Sequence, residues 1–548
     1  MKNAVGSLEL IGGSMFSGKC LSINTPILMY NGTIKLVQDI LQGDILMGDD
    51  STPRNVLNIT SGQSDLYVVI PSFGEPYVIN DEHILSLKCS FARKKYENTV
   101  NPKYKKGKVV NLSVKDYLSE SNEFRNCYKG YRMGVEFPYQ EITMDPYILG
   151  AWLGDGSKSE SIIYNIDPEI IEAIEVYAHK LGLKVTHNEK TIAYKITEGV
   201  GARKNIFIDM LRNLNIYKNK HVPLIYKANS RDVRLAVLAG LLDTDGYYDK
   251  AKHAYEITQK LKVIADDILF LARSLGFVAY STYRQCYCTY KGVKKYGWYY
   301  RVHISGTNMC DIPCLVERKK AVPHTNRNDL LVGIDVKPFG FGRYYGFQID
   351  GNHLFLLGDF TVTHNTTELL RRLSCDTFVK RKVLYINHSL DTRSTESFST
   401  HNPLYKEKMN SENKIETRSC SSLPYLEDLI EFNTIGIDEA QFFDNLSEVH
   451  NYVEKGNKRV IVSGLVGDAE RKKFGHITDL IPMAENYTQL CASCVMCADE
   501  VEHIVSAPFT HRISGTQDNQ IDTGGKDKYI SVCRKHHIKL NSQNNDII

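Results

Sequence analysis

"GGSMFSGKCLS", residues 12–22, decides how the chain is organised. A phosphate-binding P-loop follows G-x-x-x-x-G-K-[ST], and Gly13, Gly18 and Lys19 keep that spacing around Ser14, Met15, Phe16 and Ser17. The next position calls for a hydroxyl that ligates Mg²⁺, and it holds Cys20. The missing hydroxyl stands far downstream, in His364-Asn365-Thr366-Thr367. Removing residues 20–365, 346 of the 548, joins Lys19 to Thr366 and leaves 202 residues. The joined segment reads "GGSMFSGK" then "TTELLRR": an apolar strand, a complete P-loop and a helix.

The ends of the removable segment carry the chemistry that excision needs. Cys20 shifts its upstream acyl group from nitrogen to sulfur, giving a thioester at Lys19. The Thr366 hydroxyl attacks that thioester, and Asn365 cyclises through its side-chain amide to cleave the chain after itself. His364 is placed to protonate the leaving amine, and the Lys19–Thr366 ester rearranges to a peptide bond. These intramolecular nucleophilic and acid–base steps need no cofactor. Taken alone, Cys20 reads as a small buried hydrophobe and His83 as an ordinary satisfied histidine. With "CLSINTPIL" at the start, "FTVTHN" at the end and "NDEH" at 80–83, the whole of 20–365 resembles an intein. The resemblance implies that His83 activates the Cys20 amide with help from Asn80. It places His353, in "GNHLFLL", as a further assisting histidine. It also implies an all-β, hedgehog/intein-like splicing domain built from 20–130 and 320–365.

The bulk numbers suit this picture. The length suggests three or four domains, and 42% apolar with 24% charged residues is ordinary for a soluble globular protein. A net charge of +3 does not itself point to nucleic acid. No apolar run of ~18 residues and no signal peptide are present, so the expected place is the cytoplasm, with no membrane partner. In a reducing compartment the 13 cysteines suggest metal binding or chemistry rather than disulfides. The terminal "NSQNNDII" reads as a frayed tail.

Within the insertion, "LGAWLGDGS" (149–157) and "LAGLLDTDG" (238–246) resemble the paired motifs of LAGLIDADG homing endonucleases. Small residues Gly150, Ala151, Ala239 and Gly240 let two helices approach, and each helix ends in an acid, Asp155 or Asp245. Paired carboxylates suit hard-oxygen Mg²⁺ chemistry beside scissile phosphates. "NKHVP" (219–223) resembles the family's lysine block, making Lys220 a charge stabiliser. Basic-aromatic stretches at 201–220 and 282–301 suit a double-stranded DNA backbone. The plainer alternative for either motif alone is a helix contact with an exposed acid.

The 202 host residues alternate helix and buried strand, indicating a parallel α/β sheet. "TIGIDEAQFF" (434–443) is an apolar strand ending in Asp438-Glu439, a place to hold Mg²⁺ and a carboxylate near phosphate. "CASC" (491–494) and "CRKH" (533–536) match a structural Zn²⁺ pattern through Cys491, Cys494, Cys533 and His536. Cys497 and His537 remain alternative ligands. With "DTR", "STHNP", "KKFG", "FTHR" and "TGGKDKY", these residues resemble type II thymidine kinases in family order. The resemblance implies phosphoryl transfer from ATP to the 5′-hydroxyl of thymidine, with Glu439 as base. Lys19 and the loop amides would hold phosphates, Thr366 and Asp438 would bind Mg²⁺, Arg393 would offset charge at the transferring phosphoryl group, and Thr367 and Asp391 complete the cofactor-binding set. Phe442, Phe443 and Phe474 are base-pocket candidates, with simple packing the alternative for Phe442 and Phe443. Gly524, Gly525 and Tyr529 match a lasso loop, and a homotetramer follows from the family. Val466 and Ala469 stand where the family usually has an acid and a Phe, leaving base selectivity open.

The expected domains are 1–19 and 366–485 (P-loop kinase), 20–130 and 320–365 (splicing), 131–319 (an α+β endonuclease) and 486–548 (zinc and lasso). Two other readings compete: a different P-loop ATPase interrupted by an intein, or a non-splicing chain acting mainly as a DNA endonuclease. Before excision the P-loop lacks its hydroxyl, so the precursor is expected to be inactive as a kinase.

Overall fold

The computed structural model describes residues 6–13, 20–81, 83–90, 104–199, 205–290, 293–324, 330–364, 369, 372–373, 376, 381–390, 415–490, 492–494, 496–497, 505–513 and 528–545. Residues 14–19 of the P-loop, Asn365, Thr366, Thr367, Asp391, Arg393, Cys491, Gly524 and Gly525 lie outside them.

"SLELIGG" forms strand β1, Ser7–Gly13. Leu8, Leu10 and Ile11 are all buried, as a parallel strand covered on both faces requires. β1 runs parallel to Arg459–Leu465 on one side and Asn486–Leu490 on the other, from Ser7 opposite Arg459 to Gly13 opposite Leu465. The six-stranded sheet has the order Ile415–Cys420, Val383–His388, Thr434–Ile437, Arg459–Leu465, β1, Asn486–Leu490, and every pairing is parallel. One strand from before Cys20 is thus built into a sheet whose other strands all follow residue 364. Leu8 and Leu10 pack with Ile435, Ile437, Val460 and Val462 on one face, and Ile11 with Leu369, Leu373 and Tyr385 on the other.

A charge cluster ties the two sides of the insertion together. Glu9 of β1 accepts from Arg372 (2.7 Å), which follows the insertion, and from Arg459 (2.7 and 3.1 Å). Arg459 also donates to Asp376 (2.8 Å). Burial acts to raise the Glu9 carboxyl, but the two guanidiniums hold it below the usual range.

The insertion begins with strand β2, Cys20–Ser22. Two antiparallel sheets follow, each mixing strands from both ends of the insertion. In one, Ile334–Ile349, β2, Tyr77–Asn80, Pro53–Pro71 and Ile45–Met47 lie in that order. In the other, Leu331–Val332, Tyr128–Tyr131, β3 (Ile84–Cys89), β4 (Val362–His364) and Leu354–Leu356 lie in order, with Val109–Ser113 also on β3. The expectation of strands alone needs a correction: Val114–Ser119 and Asn122–Cys127 are short helices. Ser113 and Ser121 accept from the Asp116 and Phe124 amides, giving each an N-cap that the sequence reading passed over.

Helix α1, Pro146–Asp155, starts with Asp145 accepting two amide N–H bonds and a proline in the first turn. It packs on α2, Arg231–Asp245. A Cβ at Gly150 would sit 2.2 Å from the Val237 carbonyl oxygen, and one at Gly240 2.2 Å from the Tyr147 carbonyl oxygen. Only glycine permits this approach. Each helix leads into a β-sheet: three strands (Ile162–Tyr164, Ala193–Thr197, Lys184–His187) after α1, and four (Gly246–Asp249, Ala254–Gln259, Val293–Ser305, Val278–Tyr290) after α2. Arg234, fully buried on α2, donates to the Val135 and Asn229 carbonyls and to Ser274 Oγ. Phe270 meets Phe360 edge-on at 5.2 Å, joining this unit to the splicing sheets. Among the described residues no helix is long and apolar enough to cross a membrane. Of the expected frayed tail, 541–545 continue helix α3, Arg534–Asn545, within which Asn541 meets the buried His537 one turn earlier, and 546–548 lie outside the described residues.

Candidate active sites

The splicing centre forms where β2, β3 and β4 meet. Cys20 is fully buried, and burial pushes its thiol well above the ordinary range. Its backbone N–H, the nitrogen of the bond to be broken, donates to Asn80 Oδ1 at 3.2 Å. His83 N–H donates to the Asn80 carbonyl at 3.1 Å, so a tight turn fixes Asn80 and His83 together. The buried His83 ring places Nε2 2.7 Å from Thr363 Oγ1. β4 pairs His364 with Ile84 at the head of β3, carrying the C-terminal junction to the N-terminal one. His353 donates from Nδ1 to the Ile349 carbonyl (3.0 Å), and its ring centre lies 6.3 Å from that of His364. Thr363 was missed in the sequence; its only signal is a hydroxyl at a buried strand position beside His364.

The endonuclease centre lies where α1 and α2 end together. Asp155 accepts from Asn165 (2.7 Å) and Asp245 from Gln259 (2.7 Å), a matched pair of supports. Burial, and then the negative charge of Asp245, push the Asp155 carboxyl up to about 6. Burial also raises Asp245. Lys220 donates to the Leu153 and Gly154 carbonyls at the end of α1, its amine lowered to about 8 by burial. Lys319 does the same for α2, donating to the carbonyls of Leu242 (3.2 Å), Asp243 (2.5 Å) and Thr244 (3.0 Å). The sequence reading found Lys220 and missed Lys319. "KHVP" at 220–223 is echoed by "KAVP" at 320–323, but the residue used is one position earlier.

The raised Asp155 value has a direct consequence. Its folded-state value lies above its ordinary one, so the protonated form favours the fold. That contribution is complete below about pH 4 and lost as pH rises through about 6. In metal-free protein, Asp155→Asn should therefore stabilise the endonuclease unit at pH 8 by roughly 1–2 kcal/mol, allowing for partial exposure. The advantage shrinks toward pH 4, and calorimetry across pH 4–8 measures it.

In the host sheet, the carboxyl ends of β1, Thr434–Ile437 and Arg459–Leu465 share one edge, where open parallel sheets bind ligands. Asp438 Oδ2 accepts from Tyr385 (2.8 Å) and its N–H donates to the Ile386 carbonyl (2.8 Å). Glu439 sits at φ 51°, an unusual left-handed conformation for a non-glycine residue and a mark of functional sites. Its Oε2 accepts from Gln441 (2.6 Å), whose Oε1 accepts from Leu465 N–H (3.0 Å). Phe442 is half-buried and edge-on to the buried Phe474 at 5.8 Å. Phe443 is fully buried in the core and edge-on to His388 at 4.6 Å, which favours the packing alternative for it. Tyr529 lies in a strand paired with Phe509–Arg512.

Four buried residues, Cys494, Cys497, Cys533 and His536, bring one ligand atom each within 4.8 Å of the others. Cys497 and Cys533 sulfurs are 3.7 Å apart, and all three sulfurs lie 3.3–3.4 Å from His536 Nδ1. Zn–S bonds of about 2.3 Å in a tetrahedron require sulfurs about 3.8 Å apart, so the set fits Zn²⁺. Cys497, the alternative left open by the sequence, belongs to this set, and Cys491 lies outside the described residues. His537 is turned away, with Nε2 donating to the Ala469 carbonyl (2.8 Å).

A parallel sheet with a P-loop sequence after β1 and an Asp-Glu pair at the same edge defines a P-loop nucleotide kinase, here interrupted by a folded insertion. A family model described as thymidine kinase matches residues 360–537, one described as Hom_end-associated Hint matches 20–133, and one described as homing endonuclease matches 221–314. The thymidine kinase of Variola virus is 35% identical over 190 residues, 35% of this chain and 99% of its own. Human cytosolic thymidine kinase is 35% identical over 174 residues, 32% of this chain and 68% of its own. The solved structure of I-DmoI in complex with DNA and Ca matches with 14% identity and a TM-score of 0.20, covering 29% of this chain and 82% of that one. The chain belongs to the thymidine kinase family, and it carries an intein with a homing endonuclease domain inside the kinase.

Proposed function

We propose that the chain is a precursor in which residues 20–365 excise themselves and join Lys19 to Thr366, completing an ATP-dependent thymidine kinase. The observation that carries this reading is the placement of β1 between Arg459–Leu465 and Asn486–Leu490. Mass measurement of the expressed protein tests it: products of 346 and 202 residues are expected, and a persistent full-length chain would overturn splicing.

In this reading Cys20 is the first nucleophile, His83 the proton donor to its amide, Thr366 the second nucleophile, and Asn365 with His364 the cleavage pair. After ligation Glu439 accepts the proton of the thymidine 5′-hydroxyl, and Lys19 and the loop amides position the phosphates of ATP. Thr366 and Asp438 would hold Mg²⁺, which supplies charge neutralisation between the phosphates. Phe442, Phe474 and the 514–527 segment with Gly524 and Gly525 would face the base. The domain limits at 19/20, 130/131, 319/320, 365/366 and 485/486, a homotetramer after splicing and a cytoplasmic location belong to the same reading.

For the insertion, we infer that Asp155 and Asp245 would hold Mg²⁺ against opposite strands of DNA. A carboxylate whose proton affinity is raised by a second carboxylate beside it has reason to bind a divalent cation. Asp155→Asn or Asp245→Asn should lower double-strand cleavage at least about 100-fold. Splicing yield in the same variants should stay within about twofold. A matched loss of both activities would show that the substitutions merely unfold the insertion.

A further inference from the structure

The hydroxyl of Thr363 has no place in the splicing steps set out above, yet it lies 2.7 Å from Nε2 of the His83 ring. Both side chains are buried, His83 at 2% and Thr363 at 2% exposure, so the contact is shielded from competition by bulk water. The backbone fixes both partners. His83 is held by its N–H to the Asn80 carbonyl and by its own carbonyl, which accepts from Val114 N–H. Thr363 is held in β4, whose next residue pairs with Ile84.

We propose that Thr363 is a positioning residue for the first splicing step. Its hydroxyl donates to Nε2 of His83, which fixes the ring proton on Nδ1, the nitrogen that acts on the Cys20 amide in the role given to His83 above. The proposal rests on the roles given to Cys20 and His83 above. In the step itself Cys20 Sγ bonds to the Lys19 carbonyl carbon and the C–N bond breaks. The Cys20 nitrogen takes a proton from His83 Nδ1 and the thiol proton passes to the same Nδ1, so the ring ends neutral with its proton again on that nitrogen. The step is a net isomerisation and requires no co-reactant.

The position of Thr363 adds a second consequence. It lies two residues before Asn365, so the group that orients the N-terminal catalyst belongs to the C-terminal junction. An insertion whose last strand has not docked has His83 without its orienting partner. Activation of Cys20 then waits until the segment bearing Asn365 is seated. Thioester formed before that point would be exposed to hydrolysis with no ligation partner nearby, so the order protects the yield.

The test uses the full chain with Asn365→Ala, which isolates the first step, and follows hydroxylamine-induced cleavage before Cys20 over pH 6–9. Thr363→Val should slow that cleavage at least 10-fold and alter its pH profile, while Thr363→Ser, which keeps the hydroxyl, stays within about threefold. With Cys20→Ala and Asn365 intact, Asn365 cleavage in Thr363→Val should stay within about threefold, which a general defect in β4 would not allow. The ¹⁵N resonances of the His83 ring should report one tautomer in the parent and a mixture in Thr363→Val. Unchanged cleavage in Thr363→Val, or equal loss in the Val and Ser variants, would overturn the proposal. His83→Ala separates the two levels: if it abolishes cleavage while Thr363→Val does nothing, only the Thr363 role fails. If His83→Ala cleaves normally, the assignment of His83 fails as well.

Discussion

A precursor carrying both Cys20→Ala and Asn365→Ala is expected to remain at full length and to phosphorylate thymidine at less than about one thousandth of the rate of the spliced protein. Splicing removes a separation in the worst available place. Lys19 and Thr366 must be neighbours for one loop to hold both phosphates and metal, and displaced catalytic groups typically cost factors of 100 or more each. The loss is specific to the loop, because the host sheet is already formed around β1 with Glu9 clasped by Arg372 and Arg459. The locked precursor should accordingly keep a folded kinase unit by circular dichroism while lacking turnover. Cys20→Ala alone gives a contrasting outcome. Asn365 can still cleave, releasing 366–548 without β1, and that fragment should be insoluble for want of a central strand. Turnover by the locked precursor near the spliced rate would sink this account.

Cys497→Ser is expected to release zinc, unfold the C-terminal module and abolish thymidine phosphorylation. Among the described residues its buried cluster is Cys494, Cys497, Ala507, Val532 and Cys533, with Met496, Val505, Phe509, Ile530 and Leu540 packed against it, beside two sheets of two short strands each. A core of that size does not fold unaided, and a structural zinc contributes on the order of 10 kcal/mol or more. Loss of the module also frees His537 from the Ala469 carbonyl and so loosens the 464–475 segment that carries Phe474. Cys491→Ser is the contrasting variant: it should keep one zinc per chain by metal analysis and a normal melting profile. The reverse pattern, zinc lost with Cys491→Ser and kept with Cys497→Ser, would return the site to the other cysteine pair.

These two expectations differ in how legible they were. The insertion boundaries could be read directly, because excision writes its chemistry into the residues at its ends and repairs a motif when it is removed. The helix pair was equally open, since Gly150 and Gly240 meet backbone and nothing larger fits. The zinc set was half open. C-x-x-C-x-x-C offers two pairs with the same spacing, and folding brings Cys494 and Cys497 together beside Cys533 and His536. Lys319 was closed to sequence reading because it acts on carbonyls at the end of α2, a partnership made only by folding. Thr363 and Phe443 follow the same rule: one gains a role, the other a place in the core, through neighbours distant in the chain.

The placement of β1 also has a cost in time. Glu9 meets an arginine 450 residues further on, so at 5–20 residues per second β1 leaves the ribosome roughly 20–90 s before the strand it pairs with. Throughout that interval "SLELIGG" is an unpaired apolar strand attached to a separately folding body. Kinase supply in the cell is then limited by synthesis and chaperoning of the nascent chain as well as by the chemistry at Cys20. Slowing translation within 20–365 should lower the yield of active enzyme without changing the protein made.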